Sequence, residues 1–325
     1  MVEALQLIQI NLFSPMILAF MMGIVTAMAN SDLRLPDQIF TAISIYLLFS
    51  IGLEGGFDLA DAPISTFVLP AIAAAVIGAM IPVVAYLYLT KIAGLSATDA
   101  IAVGIHYGGV SSVTLSAGIA FLNDLGQGFE GFLPTLYVIM ELPAFFVALL
   151  LVAWRTGRET QNLRDVATAT LKGKTFILLG GGVLIGLLSG DAGEELVTPF
   201  FFELFPGILT LFLLQMGTIV ADRIDELKDI SPLVMIYAVG APFLHAFAGI
   251  ALGTLAGLSV GGAFLLSVIA SSGSFISAPA VVRSNLPKAN PGIYMTTALV
   301  IAFPVNIIIG LPIYYEVARV MGTMF

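Results

Sequence analysis

Of 325 residues, 59% are hydrophobic and only 10% are charged, against roughly 25% charged in ordinary globular chains, so the apolar excess cannot be hidden in one soluble core. The net charge of −9 argues against nucleic acid or anionic lipid as a partner. There is no cysteine, which removes disulfides, thiol catalysis and cysteine metal sites together.

A spanning helix needs about 20 mainly apolar residues. Runs of that kind recur ten times, near 12–29, 38–53, 64–90, 97–122, 131–154, 174–190, 199–220, 231–256, 260–283 and 292–318. The predicted fold is therefore an all-α polytopic membrane protein of about ten transmembrane helices. Only Glu3 is charged before the first run, so no cleavable signal peptide is expected.

Basic residues set the predicted orientation. Placing the 155–174 loop, with Arg155, Arg158, Arg164, Lys172 and Lys174, in the cytoplasm puts Arg34, Lys91, Arg223, Lys228, Arg283 and Lys288 on the same side, with only Arg319 opposite. The acidic groups Glu54-Asp58-Asp61, Asp124-Glu130 and Asp191-Glu194-Glu195 then fall outside, as do both termini. The predicted location is the plasma (inner) membrane, crossed many times.

The fourth run carries Gly104, Gly108 and Gly109, each destabilising a helix by about 1 kcal/mol relative to alanine, followed by Val110, Ser111, Ser112 and Thr114. A break is expected there. His106 lies one turn ahead; it is either a packing histidine or a group that shifts its charge near neutral pH. In the fifth run Glu141 is the one carboxylate placed well inside a helix, at an insertion cost of about 2.5–3.5 kcal/mol. Either it is protonated and bonded to a neighbouring helix, or it sits near the surface, or it holds a proton or cation. Gly180-Gly181-Gly182 lacks the Lys-Ser/Thr of a phosphate loop and reads as a packing surface. Asp222 to Asp229 reads as a solvated turn, and His245 as structural.

The ninth run contains Ser271, Ser272, Gly273, Ser274 and Ser277, and then Pro279, whose missing N–H prevents regular helix across the preceding turn. A second break is expected. In the tenth, Asn306 either meets a ligand or bridges helices.

Matches recur at an offset of 163: Gly23 with Gly186, Pro36 with Pro199, Ala93-Gly94-Leu95-Ser96 with Ala256-Gly257-Leu258-Ser259, and Ser111 with Ser274. They predict two copies of one five-helix unit, 1–160 and 161–325, the second inverted because five is odd. Backbone unwound inside hydrocarbon survives only where protein, water or ligand satisfies it. Two half-helix N-termini, each carrying roughly +0.5 charge, would nearly balance one monovalent anion. Close packing of small residues is the competing reading of both clusters. With no HExxH motif and no recognisable Ser–His–Asp spacing, the expected function is that of a carrier, not an enzyme, with an anion channel as the alternative.

Gly108 to Thr114, Met140-Glu141-Leu142-Pro143-Ala144, and Val268 to Arg283 with Pro287, Ala289-Asn290-Pro291, Tyr294, Pro304 and Pro312 resemble the SbtA-type sodium-dependent bicarbonate transporters. The resemblance covers almost the full length. It implies two inverted repeats with discontinuous fourth and ninth helices, core and gate domains, a homotrimer, and uptake of bicarbonate or a similar small anion with sodium. It further implies anion contacts from Gly109, Val110, Ser111 and Ser112 and cation contacts from Ser272, Ser274 and Ser277; Gly108, Thr114, Ser271, Ser272 and Gly273 in the same breaks are added as candidate anion contacts. Glu141 and His106 are added as candidate proton or cation ligands. Beyond sodium, no cofactor or transition metal is expected. Phe275 stands where the resemblance places an aspartate, and Ala298, Leu299 and Phe303 stand at expected hydroxyl positions. The 155–173 loop is short for the family's PII-like regulator, which is not expected as a partner.

Overall fold

The computed structural model describes residues 4–61, 63–156, 172–275 and 277–323; Arg158 and Arg164 lie outside them. Helices follow local start and stop signals. The elements are α1 (Ala4–Leu12), α2 (Pro15–Met28), α3 (Asp37–Asp61), α4 (Ile64–Lys91), α5 (Ala97–Gly108), α6 (Ser112–Asp124), α7 (Leu133–Thr156), α8 (Lys174–Phe201), α9 (Phe205–Asp222), α10 (Pro232–Leu255), α11 (Val260–Ser271), α12 (Ala278–Asn285) and α13 (Pro291–Gly322). The last is interrupted by π-helical turns at Thr296–Ala302 and Asn306–Gly310. Among the described residues there is no strand.

Among the described residues, eight spans are long and apolar enough to cross a membrane, or nine if α1 and α2 count as one span bent by 57°. The predicted first run, 12–29, thus begins at this bend and corresponds to α2, with α1 as an additional helix ahead of it. Ser14 accepts the Ile17 N–H at 3.3 Å and Pro15 occupies the first helical position, a start signal strong enough to divide an apolar stretch. The ninth run is also divided, into α11 and α12, each too short to span alone. Glu54, Asp58 and Asp61, expected in a loop, continue α3 instead; Asp191, Glu194 and Glu195 continue α8 beyond a kink at Gly190, whose φ is +60°.

Glycine sets the close contacts. α2 packs on α9 and α3 on α8, and a Cβ added at Gly23 would lie 3.1 Å from the Gly217 Cα, one at Gly182 2.9 Å from the Gly52 Cα. Such backbone-to-backbone approach is how helices associate without a hydrophobic driving force between them. Of the 180–182 glycines, Gly182 therefore serves packing, whereas a Cβ at Gly181 would meet open space. Asp225 and Lys228 form an exposed pair at 2.5 Å within the 3-10 turn Ile224–Asp229, as a solvated turn should.

The repeated tetrapeptide has a structural meaning. Gly94 and Gly257 take left-handed φ values of +72° and +86° and end α4 and α10, while Ser96 and Ser259 cap α5 and α11 through the N–H groups of Asp99 and Gly262, both at 3.1 Å. The two short helices that follow span 97–108 and 260–271, the same interval at an offset of 163. α5 and α6 are enclosed by other helices: every residue from Ala100 to Leu122 is buried.

Candidate functional site: two crossing breaks

α5 ends at Gly108, and Gly109 is extended at φ −74°, ψ 146°. Ser111 then caps α6, its hydroxyl accepting the Thr114 N–H at 3.2 Å. Two glycines followed by a β-branched residue and a serine weaken the helix and then restart it. α11 ends at Ser271, Ser272 is extended at φ −75°, ψ 158°, and α12 begins at Ala278-Pro279.

The two breaks touch. The Ser274 N–H donates to the carbonyls of His106 at 2.7 Å and Gly109 at 3.1 Å, and the Ser111 N–H donates to Ser272 Oγ at 2.9 Å. Contact this close needs glycine, since a Cβ on Gly109 would lie 2.6 Å from the Ser274 Cβ and 3.0 Å from the Phe145 ring. Gly108 is pressed against Pro82 and Ala144, and Gly273 lies beside Ala298.

α7 brings the carboxylate. Glu141 is 4% exposed; the Ser277 hydroxyl donates to its Oε1 at 2.8 Å, Ser274 and Ser277 share a hydrogen bond at 2.7 Å, and the Ala278 N–H reaches Ser274 Oγ at 3.3 Å. The Val110 N–H is directed at the same carboxylate. One buried acidic group thus joins both breaks. Sequence reasoning named Glu141 but not its neighbour Tyr137, one turn away, whose hydroxyl donates to the Val110 carbonyl at 2.8 Å. The i, i+4 spacing of two polar residues in an apolar helix was the available signal.

Some donors remain open. The N–H groups of Ser112 and Val113 have no acceptor among the described residues, nor does the Thr114 hydroxyl, although Thr114 is 1% exposed. Buried polar groups without a protein partner are uncommon, and these donors are free to meet a water, ion or ligand. Ser271 is committed elsewhere, its hydroxyl to Val268 O at 3.1 Å and its carbonyl to Asn306 Nδ2 at 2.9 Å. Ser272 likewise donates to Ile269 O at 2.9 Å.

His106 joins the crossing through its carbonyl. Its ring stacks on Tyr294 with centroids 4.6 Å apart, and Nδ1 lies 2.9 Å from Ala102 O. A carbonyl only accepts, so Nδ1 carries a hydrogen, and Nε2, which has no partner among the described residues, is an acceptor in the neutral ring and a donor in the protonated one. His245 stands apart on α10, edge-on to Tyr107.

Where the resemblance places an aspartate, Phe275 packs against Phe303 with centroids 5.4 Å apart, and Phe303 packs against Phe20 at 5.6 Å. That wall offers no oxygen ligand. The carboxylate that the second break contacts comes from α7. Among the described residues no cluster of three or more His, Cys, Asp or Glu side chains is arranged to hold a metal.

No curated protein sequence matches the chain. The family model of the Na+-dependent bicarbonate transporter superfamily matches residues 15–319, so this multi-pass helical membrane protein belongs to that superfamily of transporters.

Proposed function

We propose that the protein is a secondary carrier that takes up a small monovalent anion, bicarbonate above all, together with sodium, and that the crossing of the two breaks is its binding site. The supporting observation is the pairing of open donors with a buried carboxylate in one cluster. The α6 N-terminus offers the Ser112 and Val113 N–H groups, the Thr114 hydroxyl and a partial positive charge, which together replace an anion's water shell without a basic side chain. Across the crossing, Glu141 with Ser277 and Ser274 offers oxygens to a cation.

Coupling follows from charge. An ionised carboxylate a few ångströms from the anion opposes it by several kcal/mol even at an effective dielectric constant of about 20. A cation on Glu141 removes that repulsion, so each ion raises the affinity for the other, and by linkage the effect is reciprocal. A second reading puts a proton on Glu141, or on His106, in place of sodium; the small oxygen set of one carboxylate and two hydroxyls favours it. An anion channel is disfavoured by the burial of every residue from Ala100 to Leu122 around the first break.

The architecture proposed with this function is a pair of inverted five-helix repeats, 1–160 and 161–325, in a homotrimer of the inner membrane with external termini. Its support is the matching intervals of α5 and α11 and the reciprocal pairing of α2 with α9 and α3 with α8. α2, α3, α8 and α9 then form the gate domain, and the helices around the breaks form the core.

Radiolabelled bicarbonate uptake into proteoliposomes, with and without an inward sodium gradient, tests the reading. Saturable accumulation above equilibrium with the gradient is expected. Absence of accumulation under both conditions overturns bicarbonate as substrate, and equal accumulation without sodium overturns the coupling ion.

A further inference from the structure

Breaking a buried helix frees carbonyls as well as N–H groups, and an unpaired buried carbonyl costs about as much as an unpaired donor. In each break one such carbonyl is held by a side chain from another helix. The Val110 carbonyl accepts from Tyr137 Oη at 2.8 Å, and the Ser271 carbonyl accepts from Asn306 Nδ2 at 2.9 Å. Both donors are buried: Tyr137 is 2% exposed and Asn306 is fully enclosed.

The carbonyl of one residue and the N–H of the next belong to one rigid peptide unit. Tyr137 grips the carbonyl end of the Val110–Ser111 unit, and Ser272 Oγ takes its N–H end at 2.9 Å. Asn306 grips the carbonyl end of the Ser271–Ser272 unit, and Ser272 is the residue that receives the Ser111 N–H. The two units are therefore tied into one frame, with Tyr137 at one end and Asn306 at the other. Asn306 is itself oriented: Tyr314 Oη donates to its Oδ1 at 2.7 Å. It opens a π-helical turn whose displaced carbonyls, at Ile307 and Ile308, accept from Asn11 Nδ2 at 2.8 and 2.9 Å. π-turns of this kind concentrate at functional sites.

We infer that Tyr137 and Asn306 are positioning residues that lock the peptide planes at the two breaks and so hold the α6 N-terminus open toward its ligand. The ligand assignment rests on the reading above of the crossing as the binding site; the locking does not.

Two arms test it in purified full-length protein. Amide hydrogen exchange is compared between the native chain and Tyr137→Phe, which removes the hydroxyl but keeps the ring, and Asn306→Ala, with Tyr314→Phe as the milder variant should Asn306→Ala fold poorly. Exchange faster by about five- to tenfold, confined to 109–114 for Tyr137→Phe and to 272–278 for the other variants, is expected. Unchanged exchange at the breaks, or a rise spread over the whole chain, overturns the inference. The second arm reads uptake: Tyr137→Phe should raise the apparent KM for bicarbonate about tenfold while the maximal rate per folded molecule falls less than twofold. A fall in rate with KM unchanged marks a merely structural role and overturns positioning. If the native chain takes up no bicarbonate, the proposed substrate fails while the exchange arm still decides the locking.

Discussion

Thr114→Val separates a ligand contact from a packing contact, because the two make opposite demands on stability. The Thr114 hydroxyl is buried with no partner among the described residues, and valine has nearly the same shape. Leaving a buried hydroxyl unpaired costs about 1–3 kcal/mol, so its removal should stabilise the ligand-free protein by up to that amount and raise its melting temperature. If the hydroxyl donates to the anion, the bound state loses a hydrogen bond to a charged partner, about 1.5–3 kcal/mol. At about 1.4 kcal/mol per tenfold, that weakens the apparent affinity roughly ten- to a hundredfold. Melting of detergent-solubilised protein with and without bicarbonate, beside the concentration dependence of uptake, reads both quantities. A lower melting temperature with unchanged affinity would show that Thr114 has a protein partner and would refute the reasoning.

Glu141→Gln keeps a hydrogen-bond acceptor for Ser277 but removes the charge; uptake should lose its cation dependence, and a sodium titration that still shows full stimulation excludes Glu141 as the ligand. Gly109→Ala forces a Cβ to within 2.6 Å of Ser274; overpacking of this kind costs about 1–3 kcal/mol, and uptake should fall at least tenfold, whereas near-normal uptake means that the breaks do not meet so closely. Because the chain has no cysteine, single cysteines report sidedness cleanly. Gln127→Cys should react with an impermeant maleimide from outside in whole cells and Lys228→Cys only after permeabilisation, and the reverse pattern contradicts the proposed orientation.

The breaks were legible because glycine and serine punctuate apolar helices for reasons that are local. The Ala-Gly-Leu-Ser tetrapeptides were equally legible, since a left-handed glycine and a serine cap do the same work at Gly94-Ser96 and Gly257-Ser259. Counting spans was less successful. Against ten runs, eight or nine spans qualify among the described residues, because the ninth run is cut at its expected break into two short helices and the first, α2, reaches spanning length only with α1 across a 57° bend at Ser14-Pro15. Least legible was the convergence on Val110. That Tyr137 holds the Val110 carbonyl while Glu141, one turn on, meets Ser277 of the other break depends on how α7 lies against α5 and α6, and no periodicity in α7 specifies which residues it meets. The place of the expected aspartate shows the same limit: Phe275 marked the lost carboxylate, but not that another would arrive from α7.

The proposed mechanism rests on one claim, that the crossing of the two breaks binds an anion at the α6 N-terminus and its coupled cation at Glu141, Ser274 and Ser277. Hydrogen exchange of the native protein with and without saturating bicarbonate, in sodium, measures it most directly. Protection should appear together at 109–114 and 272–278, centred on the Ser112 and Val113 amides, and should be lost when sodium is omitted. Protection absent from both breaks, or confined to the crevice lined by Glu54, Asn123 and Asp124, would contradict it.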